Sequence, residues 1–386
     1  MTRRERILKI FRRELPDQVP CCPDISVMVP LKMKKKPFWE FFINEEEGIF
    51  YDPANINLLK AYLDACNYFG TIAWAWYLPP KLNLENVKYI NKIIDKRSDR
   101  RVVKTTMVTP EGNLESEILY FIDNPPFTIS KFIKDFKKEF RFLKYFYASL
   151  DKIDFSDVNR ERKLVGDAGV NMVWVSVPSL VNLDTFVDGG LGKIGLIYYD
   201  YPELILKHKD MHEEWTINYL NKIIEANCCD EIGIAVSGLM TWQSPQITRA
   251  LSLDGIKQIT KICKQNNIIS HLHCCGFEKE LVKICAEETD LDVIEPLEIP
   301  PQGDIDLGEI KKKYGDKLIL KGNLHTSSVM LSDVRTVETA AIDAIKIGGE
   351  GGGFILSTGD QCGRDTPPEN IFKLGEVCEK YGKYKN

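Results

Sequence analysis

The sequence predicts an α/β protein: a (β/α)8 TIM barrel with a hairpin-and-helix insertion in its N-terminal part capping the barrel. Three observations predict it. Apolar, β-rich runs recur at 170–177, 231–236, 267–273, 291–295, 317–321 and 353–357. Helical patterns follow them at roughly 203–227, 246–265, 277–287, 306–314, 333–347 and 368–381. Strands alternating with helices imply βαβ units and a parallel sheet. Two earlier runs, 19–25 and 69–76, bring the strand number to eight, which closes a barrel. The competing doubly wound sheet carries a Gly-rich turn after its first strand, and none stands there.

Taken in order, residues 3–13 alternate charge with Ile7, Leu8, Ile10 and Phe11, an amphipathic opening helix ended by Pro16 and Pro20. Residues 58–68 read as helix ahead of the second strand. Strands at 101–107 and 114–122 are joined by Thr109-Pro110-Glu111-Gly112-Asn113, a hairpin signal. A lysine-rich helix is expected at 131–150. We read about 80–165 as an insertion or cap on one domain spanning 1–386. Gly351-Gly352-Gly353 precedes its strand instead of joining strand to helix, so it reads as backbone packing rather than a phosphate cradle.

A length of 386 residues allows two average domains or one barrel with insertions. The net charge of −5, mixed along the chain, gives no case for nucleic acid or an anionic membrane as partner. No apolar run reaches the ~20 residues needed to cross a bilayer, and the charged N-terminus has no signal-peptide core. A cytoplasmic location is therefore the expectation. In a reducing compartment the eleven cysteines are buried thiols and metal ligands rather than disulfides. A homodimer is the default oligomer.

In a barrel the site lies where strand C-termini meet the following loops. The fifth predicted strand ends Ser270-His271-Leu272-His273-Cys274-Cys275-Gly276, and the sixth ends Ile294-Glu295-Pro296-Leu297-Glu298. The seventh ends Lys321-Gly322-Asn323-Leu324-His325, and the eighth Ser357-Thr358-Gly359-Asp360-Gln361-Cys362. Side chains two apart on a strand share a face, so His273 and Cys275 can point to one centre, with His271 a step earlier. An imidazole and a thiolate beside carboxylates suit zinc. The same pair is equally what a core histidine and a buried thiol look like. His208 and His212 have helical i,i+4 spacing, but Lys209-Asp210-Met211 between them suggests an exposed helix face. His325 reads as a solvated loop residue. Of Trp74, Trp76, Trp174 and Trp242, most are expected in the core, with one or two as an apolar wall.

These residues carry a family resemblance. The chain resembles the uroporphyrinogen decarboxylase superfamily and, within it, the zinc-dependent methyltransferases that work with corrinoid proteins. The resemblance runs through Pro16-Asp17-Gln18-Val19-Pro20, the Thr109–Gly112 hairpin, Gln243-Ser244-Pro245, His273-Cys274-Cys275-Gly276, Lys321-Gly322-Asn323, and Gly351–Ser357 leading to Asp365-Thr366-Pro367-Pro368-Glu369-Asn370. It implies Zn2+ held by His273, Cys275 and a late cysteine directly after the Gly of the eighth strand's turn. Asp360 stands at that position and Cys362 follows two residues later. The softer thiolate makes Cys362 the expected third ligand, with Asp360 as alternative. Glu295 is a labile fourth ligand or proton partner, and Asn323 and Gln243 are substrate-orienting groups. The implied reaction moves a methyl group between a small thiol, ether or amine and a corrinoid (cobamide) on a partner protein. The metal-free decarboxylases of the superfamily hold porphyrinogen carboxylates with N-terminal arginines. The segment Cys21-Cys22-Pro23-Asp24-Ile25-Ser26 lacks them, so decarboxylation is the alternative, beside a non-catalytic corrinoid- or metal-binding relative.

Overall fold

The computed structural model describes residues 1–44, 49–50 and 56–384. Strand β1 (Ala73–Ala75) precedes an antiparallel group of β2 (Lys88–Lys96), β3 (Arg100–Thr109), β4 (Gly112–Phe121) and β5 (Phe127–Ser130). Then come β6 (Gly169–Ser176), β7 (Glu231–Ala235), β8 (Ile269–His273), β9 (Val293–Glu295), β10 (Ile319–Leu324) and β11 (Phe354–Thr358). Seven of these form one parallel, curled sheet in the order β11-β10-β9-β8-β7-β6-β1. The architecture is α/β and TIM-barrel-like, as the strand–helix alternation predicts.

The expected first strand narrows to a single bridge. Leu356 N donates to Pro20 O (2.9 Å), Cys22 N to Leu356 O (2.8 Å) and Ile72 N to Cys21 O (3.0 Å), linking β11 to the residues leading into β1. Pro20 and Pro23 lack N–H groups, so a longer ladder has no donors there.

Alternate residues separate into two cores, as the strand period requires. Val173, Val175, Ile232, Ile234, Leu272, Ile294 and Leu320 face the surrounding helices. Val170, Met172, Val293, Ile319 and Ile355 face the barrel interior. Helix α1 (Arg3–Phe11) plugs the lower end with Ile7 and Ile10. Its start is a capping box in which Glu5 N donates to the Thr2 hydroxyl and Thr2 N to the Glu5 carboxylate. Arg4 fixes it to the barrel through a two-pronged pair with Asp230 (2.7 and 2.6 Å), just ahead of β7.

The helices behind the strands are α2 (Ile56–Phe69), α3 (Pro202–Ala226), α4 (Pro245–Leu251), α5 (Leu253–Gln265), α6 (Lys279–Glu288), α7 (Leu307–Tyr314), α8 (Val334–Gly348) and α9 (Pro368–Tyr381). The single helix expected at 246–265 is broken at Ser252, whose hydroxyl turns away to Pro178 O (2.6 Å).

The 80–165 segment departs most from expectation. The hairpin is there, but β2 and β5 flank it to make four strands. On one side β2 presents Lys88, Ile90, Lys92, Ile94 and Lys96 to solvent, so no apolar alternation marks it as a strand. In place of a helix at 131–150 stand a four-residue turn of helix, Phe136–Glu139, a 3-10 segment, Phe140–Phe146, and a strand, Ser149–Asp154. Ile133, Phe136, Phe142 and Leu143 are all buried. Their spacing fits no single helical stripe, and tertiary packing overrides the local lysine-rich pattern. Two helices, Leu180–Asp184 and Gly190–Asp200, were not expected ahead of α3. Among the described residues no helix is long and apolar enough to cross a membrane.

Candidate functional site

The inward-facing parity of β6 to β10 carries polar groups upward from the apolar floor. Glu231 leads β7, His271 and His273 share one side of β8, Glu295 ends β9 and Lys321 lies on β10. These groups form a buried ladder. His271 lies 3.4 Å from Glu231 and 3.3 Å from Glu295, and His273 Nδ1 lies 3.2 Å from the same Glu295 oxygen. The other Glu295 oxygen pairs with Lys321 Nζ, which also sits 4.4 Å above the Trp74 ring.

Burial acts against every charge in this ladder, and partners decide the outcome. For Glu295 burial pushes upward, but Lys321 and then His271 and His273 hold it well below the usual carboxylate range. For His273 burial pushes downward, yet Cys275 and Glu295 hold it well above the usual imidazole range. Glu231 is raised to about 7 by burial, against the pull of His271 and Lys321.

Above the ladder opens a cavity of about 300 Å3 at the C-terminal ends of the strands. Trp74, Trp76 and Trp174 wall it, with Asp24, Glu295, Lys321, His273 and Asp360 as its charged lining. Trp76 and Trp174 meet edge to face, ring centres 6.3 Å apart at 76°, and Trp174 meets His273 in the same way at 6.3 Å and 82°. Gly233 makes this possible: a Cβ there would lie 2.4 Å from the Trp174 ring and 2.5 Å from Met172 Sδ. The aromatic wall expected of one or two tryptophans has three, while Trp242 is exposed.

Ligand-type atoms of His273, Cys275 and Asp360 lie within 4.8 Å of one another. Asp360 reaches this cluster with a backbone φ of +133°, a region L-residues rarely adopt, and such strain concentrates at functional sites. Cys362, the preferred third ligand on sequence grounds, is not in the cluster. Its thiol is fully buried and raised to about 12 by burial, against the pull of the Thr358 and Thr366 hydroxyls, and its N–H donates to Asp24 O (2.7 Å). The turn after β11 thus sends Asp360 toward His273 and folds Cys362 back into the core.

Other assignments change with the tertiary structure. Gln243 does not face the cavity; its Oε1 accepts from Leu180 N (3.0 Å) and its Nε2 donates to Thr248 Oγ1 (3.0 Å), so it ties α4 to the helix at Leu180. Asn323 is buried at the end of β10, outside the cavity lining. His325 is buried rather than solvated, and its Nδ1 accepts from Ser327 N and Ser328 N. His208 and His212 are not on an exposed face. Both are buried, bonded at 2.9 Å to Tyr147 Oη and Ser176 Oγ respectively.

Sequence reasoning did not assign Lys321, Glu231 or Asp24 to the site. The first two had a signal, a charge at inward parity in an otherwise apolar strand. Asp24 had none, because it reaches the cavity from the irregular segment after the Cys21 bridge.

Comparison with known proteins falls on the same elements. The uroporphyrinogen decarboxylase (URO-D) family pattern matches residues 190–381, which include β7 to β11 and thus His273, Cys275, Glu295, Lys321 and Asp360. Curated uroporphyrinogen decarboxylases of Coxiella burnetii strains Dugway 5J108-111 and RSA 331 are 27% identical over 175 residues. Those matches span 43% of this chain and 44% of the relatives' length. A solved methyltransferase from Methanosarcina mazei shares the fold over 99% of both chains, with a TM-score of 0.65 and 17% identity. The family pattern covers β7 to β11 but not Asp24 or the three tryptophans of the cavity wall, and the fold agrees from end to end. Residues 190–381 are thus similar to the uroporphyrinogen decarboxylase family, and these findings together support that superfamily.

Proposed function

We propose that this chain is an enzyme, a zinc-dependent methyltransferase that moves a methyl group between a small molecule and a corrinoid carried by a partner protein. The observation that carries the reading is the convergence of His273, Cys275 and Asp360 within 4.8 Å at the mouth of a barrel cavity. One imidazole, one thiol and one carboxylate form a donor set that suits zinc and leaves a position for substrate. A zinc ion held there would lower the pKa of a bound thiol or polarise the heteroatom carrying a methyl group. The solved methyltransferase sharing this fold supports the reaction class.

The chain's own residues have definite tasks in this reading. Glu295, kept ionised by Lys321, orients His273 through the 3.2 Å contact. Trp76 and Trp174 exclude water from one wall. Trp242 and Phe277 are exposed next to the Cys275 turn and offer apolar surface at the face a corrinoid would approach. A porphyrinogen polycarboxylate fits less well: the cationic groups in the lining are Lys321 and His273, and Glu295 contacts both.

Metal analysis of protein purified without chelators tests the proposal. The expected result is one zinc per chain, lost in Cys275→Ser and in Asp360→Ala but kept in Cys362→Ser. Wild-type protein without zinc would refute the mechanism, and loss of zinc in Cys362→Ser alone would restore the thiolate as third ligand.

A further inference from the structure

The cavity above the metal-type cluster has a chemical preference of its own. Two of its indoles, Trp76 and Trp174, stand nearly perpendicular and form a corner. A third, Trp74, already holds a cation, the Lys321 ammonium, over its ring. Indole faces attract cations, and a corner of indoles does so best for diffuse, weakly hydrated ones.

The charges point the same way. Lys321 is paired with Glu295, so the two cancel. On the reading above, a divalent ion held by the Cys275 thiolate and the Asp360 carboxylate is also neutral. Asp24 remains. It lines the cavity, and one of its oxygens accepts from Ser26 N at 2.9 Å. No cationic side chain lies in salt-bridge reach of it among the described residues. With Lys321 already engaged by Glu295, a carboxyl in this aromatic-walled cavity is met better by a cationic occupant than by a neutral or anionic one.

We infer that the cavity binds a methylated ammonium head, so that the small-molecule partner of this enzyme is a cationic methylamine compound rather than a neutral ether or an anionic thiol. This rests on the methyltransferase reading for its meaning as a substrate, while the binding itself is a property of Trp76, Trp174 and Asp24.

Choline and 3,3-dimethyl-1-butanol have the same shape and differ in charge, which makes them the probes. Titration of the zinc-loaded full chain by calorimetry, with tryptophan fluorescence in parallel, is expected to show choline binding at least about fivefold tighter than the neutral isostere. Asp24→Asn should weaken choline at least about fivefold and leave the isostere unchanged. Trp76→Leu, at a part-exposed position, should weaken choline more than the isostere and serves if the Asp24 variant does not fold. Equal affinity for both probes, or binding of neither, overturns the inference. Zinc content of the same samples separates the two ideas. Protein that retains zinc and ignores choline refutes the cation while leaving the methyltransferase standing. Protein that prefers choline without holding zinc upholds the cavity and refutes the metal.

Discussion

Replacing Lys321 by Met keeps the side chain's stem against Trp74 and removes the charge that faces Glu295. Both partners are buried, with Lys321 5% and Glu295 8% exposed. Breaking a buried pair from one side costs about 3–5 kcal/mol, because a carboxylate is left without its partner. His271 and His273 remain 3.3 and 3.2 Å from Glu295 and take up part of the charge. The lower end of that range, about 3 kcal/mol, is therefore expected. At about 2.1 cal/mol/K per residue, 386 residues give an unfolding entropy near 0.8 kcal/mol/K, so Tm should fall by about 4 °C. The assay is thermal unfolding by near-UV circular dichroism on metal-stripped protein at pH 7.5, with wild type, Lys321→Met, Glu295→Gln and the double variant. Removing both charges relieves the orphaned partner, so the double variant should unfold at or above the Lys321→Met midpoint. Free energies of the two singles that add to the double within about 0.5 kcal/mol would show no coupling and refute the reasoning. So would a Lys321→Met loss below about 1 °C.

Two further outcomes follow from packing and protonation. Gly233→Val forces Trp174 out of its place, since a Cβ would lie 2.4 Å from its ring; a loss of about 1–3 kcal/mol and of the cavity's tryptophan circular-dichroism signal is expected. An unchanged signal would mean that Trp174 does not depend on this glycine. Burial lowers His208 to about 4, and burial with His208 nearby lowers His212 to about 3. The unfolded chain binds protons below about 6.5 while the folded chain does not, so this contribution is fully present above pH 6.5 and is lost as pH falls toward 3. For His212 it reaches up to about 5 kcal/mol. His212→Gln should flatten the acid side of a Tm-versus-pH profile, and a variant profile parallel to wild type would refute that assignment.

Local periodicity carried most of the fold. The alternating runs of β6 to β11 and the helices between them sit within a few residues of their expected places, because inward and outward parity is a property of the strand itself. Parity also brought His273 and Cys275 to one centre. The strand expected at Val19 shortens to a bridge, and the helix expected at 131–150 gives way to shorter elements, for a different reason. Prolines without donors and aromatics without a single stripe take their structure from what packs against them.

The site divides along the same line. The sequence by itself determined the barrel, the strand ends that face the cavity and the His-x-Cys pair, all of which depend on residues two or four apart. Only the tertiary structure decided that Asp360 rather than Cys362 turns toward that pair, that Gln243 braces helices, and that Asp24 and Lys321 complete the lining. Those outcomes depend on the backbone path of an irregular turn and on segments hundreds of residues apart. Such long-range packing leaves no periodic mark on the chain.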